Sequence, residues 1–339
     1  MPDLEIRPLD PRDDADMDAF QEVYAAAERA EDPVTALYSR EDGVTMLLAS
    51  GSGGEVREAY GAFTGGAASE MAGELMLTAP LRDNLRTARV WIWVTPAHQR
   101  RGVGTELAAY AEQRMRELGR SVAQGQARIG ADRDNGNLRF LTGLGWSLAN
   151  TEIERRLPLP ADLALVDRLA AEAAPHHAGY RIRTVVGPVP GDLAASYVEL
   201  KNLIQVEMPS GDLDVEAGQE TTAELAVQDQ YLTDSGRTRV ASYALDPAGA
   251  VVAYAVAAVS NDDHDHVDQW GTLVHPAHRG HRLGMAVKCA QLRTLSEGFP
   301  GKRFVTTTNA ETNRHMVAIN EALGFAVHEV YADFQKRLD

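Results

Sequence analysis

Apolar residues along this chain follow two periods, and the order in which those periods appear occurs twice. Leu4-Glu5-Ile6-Arg7 alternates apolar with polar at the two-residue spacing of a strand. Asp14–Arg29 carries apolar residues at three- and four-residue steps, which predicts a helix. Val44–Ala49 and Ala59–Phe63 then read as a strand pair, Ala88–Val94 as a strand, Glu106–Leu118 as a helix and Ser121–Arg128 as a strand. A helix ending in Leu144-Gly145-Trp146 leads to a last strand, Glu152–Leu159. The second half repeats the order: a strand from Tyr180, a helix over Leu193–Val206, and the pair Arg239–Leu245 with Val251–Val259. Val267–Val274, a helix over Met285–Leu295, the strand Phe304–Thr308, a helix ending in Leu323-Gly324-Phe325 and a final strand complete it. Strands and helices mixed in this order predict an α/β fold of the α+β kind, a mixed and mostly antiparallel sheet flanked by helices in each half.

The repetition extends to residue identity. Residues 93–105 read WVTPAHQRRGVGT and residues 273–285 read LVHPAHRGHRLGM. Val94 and Val274, Pro96 and Pro276, His98 and His278, and Gly104 and Gly284 all share one offset. Downstream, FLTGLGW at 140–146 and INEALGF at 319–325 resume the match with one residue of net length change. A period this long is duplication of a whole domain rather than a solenoid repeat. Ala161–Ala174 reads as a connecting helix that Pro175 and Gly179 break, so the expected domains are 1–158 and 179–339 with a linker at 159–178.

Composition narrows the partners. No stretch reaches the roughly 18–20 apolar residues of a membrane helix, and the acidic N-terminus lacks the pattern of a secretory signal. Cys289 is the single cysteine, so no intrachain disulfide forms, and the cytoplasm is the expected compartment. The net charge of −16, from 33 basic and 49 acidic residues, disfavours nucleic acid and anionic membranes and favours cationic partners.

The glycine turn after each central strand carries the chemistry. A helix start leaves backbone N–H groups unpaired at the positive end of its dipole, and glycines let an anion approach closely. On spacing alone such a turn is as often a structural connection as a phosphate site, but two copies with an arginine in the turn favour a pyrophosphate cradle at Gln99-Arg100-Arg101-Gly102-Val103-Gly104-Thr105, with Arg279-Gly280-His281-Arg282-Leu283-Gly284-Met285 as its second copy. Gln99-x-x-Gly102-x-Gly104 resembles the coenzyme-A-binding motif of the Gcn5-related N-acetyltransferases (GNAT), in a tandem arrangement similar to duplicated bacterial acetyltransferases. The second copy has Arg282 where the family's central glycine stands.

The resemblance implies a transfer from acetyl-CoA to a primary amine of a small molecule, by direct attack in a ternary complex, with one domain or both competent. It implies that Trp93-Val94 and Leu273-Val274 hold the pantetheine through their backbones, and that the two turns hold the pyrophosphate. The family's acid is often a tyrosine in the helix before Leu-Gly-Phe; this chain has Leu141 and Asn320 there. Asn320 can donate to sulfur and Glu207 is a candidate base. Asp212 and Asp214 lie on an expected substrate loop, where an Asx turn is the alternative reading. Asn309 and Asn313 could line the cofactor cleft or cap the following helix. His264 and His266 share a strand face, yet their place in an expected hairpin loop favours a solvated turn, and no metal is expected. Trp91 and Trp93, two apart, share one face of their strand. The alternative to an enzyme is a non-catalytic acetyl-CoA-binding sensor or structural protein.

Overall fold

A computed structural model describes residues 4–33, 35, 37–52, 54–65, 70–261 and 265–338. In the first half the strands are β1 (Leu4–Pro8), β2 (Glu55–Thr64), β3 (Met71–Pro80), β4 (Thr87–Val94), β5 (Val122–Arg128) and β6 (Ser147–Pro158). Its helices are α1 (Asp14–Glu31), α2 (Arg40–Leu48), α3 (Val103–Glu117) and α4 (Gly136–Gly143), and α5 (Leu163–Ala173) leads out of it. The second half holds β7 (Arg181–Val186), β8 (Arg237–Leu245), β9 (Val251–Ser260), β10 (His266–Val274), β11 (Phe304–Ala310) and β12 (Ala326–Arg337). Between them run α6 (Gly191–Asn202), α7 (Ile204–Glu207), α8 (Thr222–Asp234), α9 (Leu283–Gly298) and α10 (Arg314–Ala322). None of the described helices is long and apolar enough to cross a membrane.

Three stretches depart from the sequence reading. Val44–Ala49, expected as a strand, belongs to α2, because Ser39 and Asp42 form a reciprocal capping box that starts a helix there. The partner of β2 is instead β3, paired Glu55 with Pro80 through Phe63 with Met71. A second capping box, Thr221 with Glu224, starts α8, which the apolar pattern did not announce.

The sheet is mixed and mostly antiparallel, with helices on both faces. Its order is β1-β2-β3-β4-β5-β12-β6-β11-β10-β9-β8-β7. The halves thus exchange their last strands: β12 lies between β5 and β6, and β6 lies against β11. The cores follow the exchange. Phe334 of β12 is fully buried in the cluster under α3 with Leu75, Leu77, Leu107 and Met115. Leu157 of β6 is buried in the cluster under α9 with Leu292, Val305 and Phe325. On the opposite face, α1 and α2 cover Met17, Phe20, Leu47 and Met71, with Trp93 packed at the edge.

Candidate functional site

β4 and β5 run parallel and pair only from Thr87 to Arg89 against Val122 to Gln124. Beyond that, the ends of the two strands carry no ladder with each other. Gly125 sits where they part, and a Cβ there would lie 3.1 Å from the Val90 carbonyl. Thr95 N–H donates to Ala72 O of β3. By two-residue alternation, Trp93 turns its backbone to β3, and Ile92 and Val94 turn theirs to the gap. His275 N–H donates likewise to Val252 O, so Leu273 faces β9, and Thr272 and Val274 face the second gap. Of the strand-end residues named from the sequence, Val94 and Val274 present backbone to the gaps, whereas Trp93 and Leu273 do not. Ile92 and Thr272 also turn backbone to the gaps, because the side a strand backbone faces depends on its partner's register.

The first turn is open. Arg100 at φ 62° and Gly102 at φ 90° adopt left-handed backbone, and α3 starts at Val103 with no side-chain cap. Side chains cap α1, α2, α4, α5, α8 and α10. The N–H groups of Val103, Gly104 and Thr105 have no acceptor within the helix. Arg100 and Arg101 are exposed and have no side-chain partner among the described residues. Gln99 folds back and donates from Nε2 to Val94 O at 3.2 Å. Gly104 lets Phe140 of α4 pack close, since a Cβ would meet its ring at 3.1 Å.

The second turn has the same backbone and a different surrounding. Arg282, at φ 53°, precedes an α9 that is also uncapped, and a Cβ on Gly284 would meet Ile319 at 3.1 Å. Its side chains, however, are engaged. Arg279 Nη2 lies 2.5 Å from the Glu207 carboxylate, and Arg282 Nη1 donates to Glu172 O at 3.3 Å. His281 Nδ1 is 3.1 Å from His176 O, with the Tyr180 ring beside it. A cavity of about 260 Å³ is lined by Arg282, Gly284, Met285, Ile319 and Leu169 of the connecting helix.

The face that carries α1 is polar where the exchanged strands meet. Trp93 Nε1 donates to Glu28 at 2.8 Å, Arg128 Nη1 pairs with Glu28 at 2.8 Å, and Arg128 Nε donates to the Tyr331 hydroxyl at 2.9 Å. This chain of contacts spans the gap from β4 to β12. Two residues along, Gln126 Nε2 donates to both Glu152 and Asp333, and Asn150 donates to Asp333. Neither carboxylate has a cation within ion-pair distance among the described residues. Burial, with Asp333 nearby, pushes the Glu152 carboxyl up to about 7, and burial also raises Asp333. Glu74 of β3, on the same face, is fully buried, and neither of its oxygens has a hydrogen-bond partner.

A model of the acetyltransferase (GNAT) family matches residues 15–142. These residues are a GNAT acetyltransferase domain. Over the full length, the chain is similar to a tandem GNAT protein from the clavulanic acid biosynthesis pathway, with 25% identity and a TM-score of 0.78. That superposition covers 99% of this chain and 98% of the other. A GCN5-related N-acetyltransferase from Sphaerobacter thermophilus shares the fold at 18% identity and a TM-score of 0.65, covering 99% of this chain and 96% of that one. One from Kribbella flavida shares it at 16% identity and a TM-score of 0.52, covering 100% and 72%. A search of curated proteins gives no match. The chain is a tandem of two GNAT-like domains with the fold of an acyltransferase.

Within that GNAT frame, the remaining sequence candidates fall into place unevenly. Leu141 packs against the apolar cluster under α3. Asn320 is fully buried; its Oδ1 accepts from Lys288 Nζ at 2.6 Å and its Nδ2 donates to Asn309 at 2.6 Å. Both amide atoms are thus engaged inside the fold, and Asn309 with them. Asn313 caps α10 by accepting from Met316 N–H. Glu207 is held by Arg279.

The loop before α8 docks on the first half, where Asp212 N–H donates to Ala149 O and Gln124 Nε2 donates to Asp214 O at 2.8 Å, while Asp214 also pairs with Arg337 of β12 at 3.3 Å. These contacts make the Asp212–Asp214 segment a clamp between the halves. His264 lies outside the described residues, and no cluster of three metal-binding side chains occurs among those described. The acids Glu74, Glu152 and Asp333 were missed. The only trace of the last two is polar residues at alternate positions along β6 and β12.

Proposed function

We propose that this protein transfers an acetyl group from acetyl-CoA to the primary amine of a small molecule, with the first domain as the working site. The observation that carries this reading is the contrast between the two turns. Both lead into an uncapped helix, but the first keeps two free guanidinium groups, in a chain whose net charge is −16. The second has its arginines and His281 turned onto Glu207 and the connecting segment.

In this reading Gln99–Thr105 holds the pyrophosphate, while Ile92 and Val94 accompany the pantetheine along the gap. The amine arrives from the α1 face. Its nitrogen bonds to the acyl carbon, the C–S bond breaks with its electron pair on sulfur, and the thiolate takes a proton from solvent. The ammonium proton passes to a carboxyl that no cation neutralises, and Glu74 and the Glu152–Asp333 pair meet that condition. The second domain then serves as a structural partner that supplies β12. The lone buried thiol of Cys289 fits a reducing cytoplasm.

Calorimetric titration with acetyl-CoA tests the reading. One site is expected in the wild type; Arg100→Ala with Arg101→Ala weakens it at least tenfold, and Gly104→Trp abolishes it. Gly284→Trp leaves it in place. Folded wild type that binds no acetyl-CoA sinks the proposal, and loss only with Gly284→Trp moves the working site to the second domain.

A further inference from the structure

Glu74 has no role in the fold that its chemistry explains. It stands on β3 opposite Trp93 and Gly61, fully buried on the face covered by α1, with both carboxyl oxygens unpartnered. Apolar side chains fill this face: Met17, Phe20, Phe63, Met71 and Trp93 belong to one cluster. Gly61 contributes no side chain beside Glu74, and a Cβ there would come within 2.7 Å of Phe63 and 2.8 Å of Met71. An apolar residue would pack here without the cost of a lone buried carboxyl.

The repeat sharpens the point. Trp93 and Leu273 are equivalent, so Tyr254, which pairs with Leu273, is the counterpart of Glu74. Tyr254 is also buried with an unpartnered hydroxyl. Both halves keep a polar group at this place, but only the first keeps an acid, in the domain whose turn is free.

We infer that Glu74 receives the acceptor's ammonium group in an apolar pocket beside Trp93, so that the acceptor is a primary amine carried on an apolar body. The inference rests on the acyltransferase reading and commits it to one carboxyl and one substrate class. Trp93 stands between Glu74 and the gap, its indole held by a hydrogen bond to Glu28 and a T-shaped contact with Tyr24. Rotation of that indole opens the way. Burial pushes the Glu74 carboxyl well above the ordinary carboxylate range, which favours its protonated form. Pairing with an ammonium ion drives that proton to solvent, and the carboxylate then takes one proton from the ammonium. The neutral amine attacks the thioester, and one proton in all has left for solvent.

The test uses the full chain with phenethylamine as the apolar amine and glucosamine as the hydroxylated one. Thiol release from acetyl-CoA is expected with phenethylamine and at least tenfold less with glucosamine. Glu74→Gln, nearly the same shape, is expected to keep acetyl-CoA binding and lose about a hundredfold or more in kcat/KM. Calorimetry of phenethylamine in buffers of different ionisation enthalpy should find net proton release on amine binding in wild type, and none in Glu74→Gln. Acetyl-CoA binding with no turnover of phenethylamine, or with a preference for glucosamine, overturns the inference. So does equal activity of Glu74→Gln, or loss of turnover with Glu152→Gln alone. Absence of acetyl-CoA binding is a different result and strikes the acyltransferase reading itself.

Discussion

At the scale of single residues, the duplicated sequence has placed buried polar groups where no motif announces them. Lys288 is fully buried on α9, held by Asn320 and lying 4.9 Å from the Phe325 ring centre, and burial brings its ammonium group down to about 7. Its folded pKa is thus below the ordinary 10.5, so between about 7 and 10.5 the unfolded chain binds the extra proton. Stability contributed at this site is therefore poorest below pH 7 and recovers as pH rises toward 10.5. Lys288→Met is expected to raise the thermal midpoint at pH 6, with the gain shrinking steadily by pH 10; a gain that grows with pH would refute this. The sequence made Asn320 visible through the family pattern, yet not its burial, which depends on Lys288 from another helix. Glu74 was invisible for a similar reason: an acid in an apolar strand looks like a solvent-facing position until α1 is seen to cover it.

At the scale of elements, most of the pattern was legible because strand and helix periods are local. The turns after β4 and β10, the helices α3 and α9, and the connecting α5 all lie where periodicity and punctuation put them. The failure at Val44–Ala49 is instructive. Six residues are too few for the apolar period to separate a strand from a helix, and the deciding signal lay upstream, in Ser39 and Asp42. Ser39→Ala removes the hydroxyl that accepts from Asp42 N–H and is expected to cost about 1 kcal/mol in chemical denaturation. An unchanged midpoint would mean that packing against α1 alone holds α2. The free start of α3 and the engaged start of α9 have nearly the same sequence signal. What separates them is the connecting segment and Glu207, which approach α9 only in three dimensions.

At the scale of the whole molecule, the duplication predicts two similar units but not the exchange of their last strands. No local pattern records which β5 a strand will pair with, because β12 offers the same alternation to either half. The exchange makes each core depend on the other half, through Phe334 in one and Leu157 in the other. Deleting residues 326–339 is therefore expected to unfold the first half as well as the second. Amide hydrogen exchange across β4 and β5 reads this out, and retained protection there would show that the first half closes without β12.

The same exchange sets a timetable. β5 is complete at Arg128, but the strand that covers its edge begins at Ala326, roughly two hundred residues later in synthesis. At the usual pace of translation that is an interval of about 10 to 40 seconds, during which the first half waits with a bare strand edge and part of its core missing. Newly made chain is thus exposed to wrong partners, other copies of itself foremost, until β12 leaves the ribosome and locks both halves at once.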